Sequence, residues 1–455
     1  MVPARPAGAV RNGSGTPSRV GMNPEPEAGA LMPMDARRPV SPPGPLRTEG
    51  SPMSPAILPC TVHRVLAAAA AVALSTGCAA GAGDGGPGQE SGASADWTAT
   101  GEVPGYEPDP LFFSVLPNRW VSGQVGGLAV DSNDNIWVFH RPATIPDGEK
   151  AAALDPPEAE CCFPAPPVLH FDAGGEFVRG WGGPGEGYEW FSNEHGIFVD
   201  HEGNVWLSGS ASSDNHILKF TGEGDFLMQI GRAGTGAGSN DTLNVGGPAG
   251  LFVHEPTNEL FVADGYGNRR VIVFDAATGA YRRHWGAYGN RPDDSVELPS
   301  RAEYIELVAA GGPLPQQFNT PVHAVFVSRD GLVYVADRGH LRIQVFDLEG
   351  GFVRETFVRP NTLYTVGTVH AFGTSPDPGE RFLYVVDGAN KWIDILDRET
   401  LETVHQIGGY AGHNAREFFH AHSFAVDSRG HLFIGEVNDG QRYYRYRFVG
   451  MQPRE

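Results

Sequence analysis

One pattern recurs along this chain from about residue 123, and it leaves few folds open. Each copy holds an apolar strand, a turn rich in Asp and Gly, a second apolar strand, a third ending in Phe or Leu before Asp, and a fourth before Gly. The first two strands read LAVDSNDNIWVFHR (128–141), IFVDHEGNVWLSG (197–209) and LFVHEPTNELFVADG (251–265). They continue as VFVSRDGLVYVADR (325–338), AFGTSPDPGERFLYVVDG (371–388) and FAVDSRGHLFIGEV (424–437). Third and fourth strands follow, as in VIVFDAATGAYRRHWG and IQVFDLEGGFVRETF; the sixth copy keeps only a third, YRYRF. Four-strand units at a period of roughly 40–50 residues cannot each bury both sheet faces alone, so they stack around an axis. The expected fold is all-β, a six-bladed β-propeller. The missing last strand of copy six is expected from the N-terminal side, near residues 115–123 (VLPNRWVSG), closing the last blade and removing open edges. No segment shows sustained helical periodicity, which disfavours an α-containing solenoid.

Glycine is frequent, at 61 residues, and 19% of the chain is charged, which suits short strands joined by tight turns. The net charge of −21 argues against electrostatic affinity for nucleic acid.

The N-terminus reads as an address. Residues 1–52 are rich in Pro, Gly and Arg without apolar periodicity, and Met53 fits a true start, leaving 1–52 an untranslated or disordered extension. His63-Arg64, the apolar run 65–74 and Ser75-Thr76-Gly77-Cys78 together describe a secretory signal over 53–78. The run is too short to span a bilayer as a helix. Its end resembles a bacterial lipobox, in which Cys78 would carry a lipid anchor, although Leu74 stands one place further from it than is usual. A mature N-terminal extension is the alternative. Residues 79–105, rich in Gly, Ala and Ser, read as a flexible linker, and 106–449 as the propeller. The expectation is an exported, monomeric, periplasmic or cell-envelope protein. In an oxidising compartment Cys161 and Cys162 could bond to each other or to another chain; free or metal-binding thiols stay open.

In a propeller the first strand of each blade lines the central channel. The start of that strand and the loop between the second and third strands lie on the same end of the ring. At the first position stand His195 (NEHGIFVD), His323 (PVHAVFV) and His422 (HAHSFAVD), in copies two, four and six. Six blades stand about 60° apart, so these imidazoles should converge at about 120° around the axis. Three converging histidines with an open fourth position make a catalytic-type zinc tripod. Each histidine alone would more often be a polar plug bonded to channel water. Copy five adds His370 at the same slot, expected behind the metal ligands or against substrate. After second strands stand Arg141, Tyr266 (ADGYGNRR) and Arg338 (ADRGH). Arginine offers a fixed fork of donors to a carboxylate, and a tyrosine beside a dication gives up its proton more readily than a free phenol. Together they suit an anionic substrate, a small molecule or a peptide C-terminus, whose hydroxyl must be deprotonated.

These strings resemble the NHL-repeat lyase that finishes peptide α-amidation, peptidyl-α-hydroxyglycine α-amidating lyase. The resemblance covers roughly residues 120–449 and is strongest in PVHAVFVSRDGLVYVADRGHLRIQVFD (321–347) and FVADGYGNRRVIVFD (261–275). It implies that His195, His323 and His422 bind zinc, that Tyr266 is the base, and that Arg338 and Arg141 hold substrate. The implied reaction cleaves the C–N bond of a C-terminal α-hydroxyglycine without water, giving an amide and glyoxylate. The sequence departs from the family in three places. Ser423 stands where the animal lyases carry an aspartate on a structural calcium, and a hydroxyl is a poor substitute on a hard cation, which leaves calcium in doubt. Glu194 replaces a proline before His195, and Val322 separates Pro321 from His323. A non-catalytic NHL-repeat scaffold is the alternative reading. A lactone or ester hydrolase ranks behind both, because those propellers place acids around calcium and Glu194 is the only acid adjoining a first-strand histidine.

Overall fold

The computed structural model describes Trp97 and residues 99–454. The readings of the signal, of Met53 and of Cys78 lie outside the described residues. Six antiparallel four-stranded sheets follow one another in chain order. Their innermost strands are Gln124–Val130, Glu194–Val199, Pro248–His254, Val322–Val327, Ala371–Thr374 and Ala421–Val426, defining blades one to six. Each innermost strand packs against the next, and the sixth packs against the first, so the ring closes.

The Asp-rich turns have a mechanical reason. Asp131 at the end of the first strand of blade one accepts the backbone N–H groups of Asn133 and Asn135 at 2.9 and 3.0 Å and the Trp137 indole at 3.1 Å. Asp200 repeats this with Glu202, Asn204 and Trp206, and Asp427 with Arg429 and His431. The carboxylate substitutes for missing strand partners at a tight reversal, which is why Asp recurs there. Between blades the alternating apolar residues interdigitate: Phe261, Val271 and Trp285 of blade three meet Val325, Val333 and Phe346 of blade four.

The sixth blade takes its outermost strand from the N-terminal side, but not from residues 115–123. Glu102–Asp109 pairs antiparallel with Tyr443–Pro453 and begins inside the segment read as linker. In VLPNRWVSG, Pro117 donates no hydrogen bond and Asn118 and Arg119 take φ of 57° and 56°, so the chain turns where a strand would need to extend. Only Trp120–Val121 forms a strand there, paired in parallel with Phe163–Pro164 from the long loop of blade one. That loop also carries Cys161 and Cys162, which are bonded to each other. A helix, Arg301–Ala309, with a Ser300/Glu303 capping box lies in the connection between blades three and four.

Candidate metal centre

His195, His323 and His422 sit at the starts of alternate innermost strands and meet on the axis. Their ring centres are 5.0, 4.8 and 4.8 Å apart, a nearly equilateral triangle with the rings edge to face. One nitrogen from each lies within 4.8 Å of the others, and all three side chains are buried. The intervening blades orient them. Nδ1 of His195 donates to the Ala249 carbonyl at 3.0 Å, that of His323 to the His370 carbonyl at 2.6 Å, and that of His422 to the Gly126 carbonyl at 3.1 Å. A ring that donates through Nδ1 keeps a lone pair on Nε2, so three lone pairs converge on the axis. The close approach of blade one requires glycine at 126, since a Cβ there would stand 2.5 Å from the Glu194 carbonyl oxygen.

Burial pushes all three imidazoles well below their ordinary range. The positive charge of Arg141 adds to this at His195 and that of Arg338 at His323, and the neighbouring tripod rings reinforce it at His422. They are therefore neutral, and neutral lone pairs held in a ligand-carrying cluster fit a dication better than they fit one another. One protein proton serves this cluster: the Tyr266 hydroxyl lies 3.0 Å from Nε2 of His195 and 3.1 Å from Nε2 of His323. Tyr266 reaches that point because Gly265 lets the loop pass against blade four; a Cβ there would come within 2.1 Å of the Val322 backbone.

The two arginines flank the same end. Arg141 is anchored, donating from Nε to the Glu194 carbonyl at 2.7 Å and from its terminal nitrogen to Gln124 at 3.2 Å. The guanidinium of Arg338 lies 5.6 Å from the Tyr266 ring centre, and its buried Nε has no partner among the described residues. His370 is buried beside the tripod, its ring centre 5.4 Å from that of His323. Its carbonyl, not its ring, orients a tripod histidine. The Ser423 hydroxyl is buried against Gly435 without a partner among the described residues. Glu194 is turned away, accepting the Trp190 indole at 3.0 Å. Below the histidines a cavity of about 400 Å³ runs along the axis between apolar walls towards Arg329, Glu380 and Asp427 at the opposite end. Sequence reasoning missed the carbonyl partners of the three Nδ1 atoms, whose only trace is the small residues Gly126 and Ala249, and it missed His420, which stands against His370.

The chain matches no family model. It is 27% identical over 275 residues to the peptidyl-glycine alpha-amidating monooxygenase of Mus musculus, covering 58% of this chain and 24% of that protein. It is 31% identical over 193 residues to NHL repeat-containing protein 3 of Homo sapiens, covering 41% of this chain and 46% of that one. A Caenorhabditis elegans protein described as "Probable peptidyl-alpha-hydroxyglycine alpha-amidating lyase pgal-1" is 22% identical over 339 residues, covering 73% of this chain and 85% of it. The chain thus spans about a quarter of the length of the amidating monooxygenases it matches. Among solved structures it is similar to a streptogramin B lyase, at 12% identity and a TM-score of 0.44 over 75% of this chain and 98% of that one. Its homologues are peptidylglycine amidating enzymes, an amidating lyase and NHL-repeat proteins.

Proposed function

We propose that this chain is an exported zinc-dependent carbon–nitrogen lyase that converts an α-hydroxyglycine-type substrate to an amide and glyoxylate. The observation that carries the reading is the phenol of Tyr266 held 3.0 and 3.1 Å from two of three converging imidazoles, with arginines on the same side. His195, His323 and His422 would hold the zinc, which supplies a Lewis acid that makes a bound hydroxyl easier to deprotonate. In the net reaction the hydroxyl loses its proton, its oxygen becomes the aldehyde of glyoxylate, the C–N bond breaks with its electron pair going to nitrogen, and nitrogen gains a proton. Tyr266, acting as the phenolate, would take the first proton at Oη and return it to the departing amide nitrogen. Arg338 is free to bind the carboxylate, and Arg141, tied to Gln124 and Glu194, fixes the wall behind His195.

The test is metal analysis joined to turnover. Wild-type protein should carry about one zinc per chain and release glyoxylate from α-hydroxyhippurate, and His195→Ala should lose both. Protein that is inert after zinc loading would sink the lyase reading. The second reading is a non-catalytic NHL-repeat scaffold of the cell envelope; the 31% identity to NHL repeat-containing protein 3 bears on the shared repeat alone. In that case His323→Ala leaves partner binding unchanged. Export, with a lipid on Cys78, predicts a mature N-terminus at that residue by mass spectrometry.

A further inference from the structure

Behind the tripod, on the side away from Tyr266 and the two arginines, the propeller axis holds a chamber that the metal site does not account for. The cavity of about 400 Å³ is bounded at one end by His195, His323 and His422 and lined beyond them by the innermost strands. None of Arg141, Tyr266 and Arg338 lines it. At the far end its wall includes Arg329, whose side chain is 57% exposed, so that end opens to solvent. The volume is that of a pocket for a small organic molecule.

The walls are uneven in a way that the repeat does not require. One register position recurs on all six innermost strands, each time opposite an aromatic residue of the second strand, as Phe252 is opposite Phe261 and Ala425 opposite Phe433. Blades two, three and four place Phe198, Phe252 and Phe326 there, and blades five, six and one place Gly373, Ala425 and Ala129. The three rings form one wall, the ring centre of Phe252 lying 5.0 Å from that of Phe198 and 5.2 Å from that of Phe326. All three are only partly buried although they stand at the axis, because part of each faces the chamber. A ring left facing water is apolar surface that a ligand can cover, and ring edges and faces favour another aromatic.

The strand edges add a polar requirement. Each innermost strand pairs only with the second strand of its blade, which leaves its other edge, with N–H and C=O groups, towards the axis. No charged side chain lines the chamber between the histidines and the mouth residues Arg329, Glu380 and Asp427. A charged ligand would lose its water there without gaining a counter-charge. An amide instead exchanges its water partners for the donors and acceptors of the strand edges.

We propose that this chamber is a second ligand site, for a neutral flat aromatic molecule carrying an amide, with its ring against Phe198, Phe252 and Phe326 and its amide against the free strand edges. The site does not rest on the lyase reading, which places substrate on the other side of the histidines.

Titration calorimetry of the full chain with 2-naphthamide tests this, beside 2-naphthoate, which has the same shape and a charge, and naphthalene, which lacks the amide. The amide should bind with one molecule per chain, and the acid and the hydrocarbon should each bind about tenfold more weakly or worse. Phe252→Ala, which opens the ring wall, and Ala425→Phe, which fills the space across from it, should each weaken the amide by about tenfold or more, with metal content at the wild-type level. Absence of naphthamide binding overturns the proposal, as does equal binding of the acid or the hydrocarbon, or wild-type affinity in either variant. Should a variant fail to fold, nuclear Overhauser contacts in the wild-type complex decide. Contacts from the ligand to the phenylalanine rings uphold the site; contacts to the Tyr266 ring alone put the ligand at the metal face and overturn it. Glyoxylate release and zinc content are scored separately, so an inert protein that holds naphthamide in the chamber sinks the lyase and keeps the site.

Discussion

At the residue scale, the tripod is set by what stands behind each imidazole. A histidine side chain has two nitrogens, and a carbonyl from the intervening blade takes Nδ1 in all three cases, so the axis receives only lone pairs. Tyr266 then matters for its single hydrogen. Tyr266→Phe removes that hydroxyl while leaving the ring under Arg338. The variant should keep its zinc and its unfolding midpoint, and its rate of glyoxylate release should fall on the order of 10²–10⁴-fold. A phenylalanine variant with wild-type turnover would remove Tyr266 from the chemistry. Gly265→Ala gives the contrasting outcome. Its new Cβ meets the Val322 backbone at 2.1 Å, one residue before His323, and backbone cannot step aside as a flexible side chain can. It should cost on the order of 1–3 kcal/mol in urea unfolding as well as activity.

At the scale of the strand and its turn, the same aspartate that builds a reversal sets a pH dependence. Burial raises the Asp427 carboxyl to about 6. Between about pH 4 and pH 6 the folded protein therefore keeps a proton that the unfolded chain has released, so stability falls as pH rises through that window and stays reduced above it. Asp427→Asn retains an oxygen for the Arg429 and His431 N–H groups and gives up only a weak contact with the half-exposed Arg429 side chain. The asparagine variant should be more stable than wild type at pH 7.5 by on the order of 1–3 kcal/mol, and no more stable at pH 4. Thermal unfolding at both pH values checks this, and a loss of stability at pH 7.5 would count against it. Turn and strand signals of this kind are local, which is why the six copies, the histidine slot and the Tyr266 loop are legible in the sequence. The closing strand is not. EVPGYEPD carries two prolines and a glycine, alternates weakly, and pairs across an interval such as Glu107 to Arg447, 340 residues away.

At the scale of the whole molecule, a propeller is a ring in which every blade presses on two neighbours, so the blade assembled from both ends of the domain governs the rest. Its seam is strong for its size. Asp109 pairs with Arg445 at 2.6 Å and Glu107 with Arg447 at 2.8 Å, Trp97 stacks on Phe448, and the Tyr106 hydroxyl meets that of Tyr384 in blade five at 2.6 Å. The last contact ties the seam to the next blade, and the innermost strand of the sewn blade carries His422. Loss of the outer strand would expose the Tyr443–Pro453 edge and the Tyr384 and Phe448 surfaces while removing none of the tripod residues. A chain beginning at residue 111 should therefore unfold on the order of 5 °C or more below the intact protein. It should also self-associate on size exclusion and bind zinc more weakly, through a loosened His422, although no ligand has been altered. Equal melting temperatures and equal zinc affinity would mean that five complete blades hold the axis without the seam. The Tyr106→Phe variant separates the two contributions, since it removes only the link to blade five and should lower the midpoint by less than the truncation does.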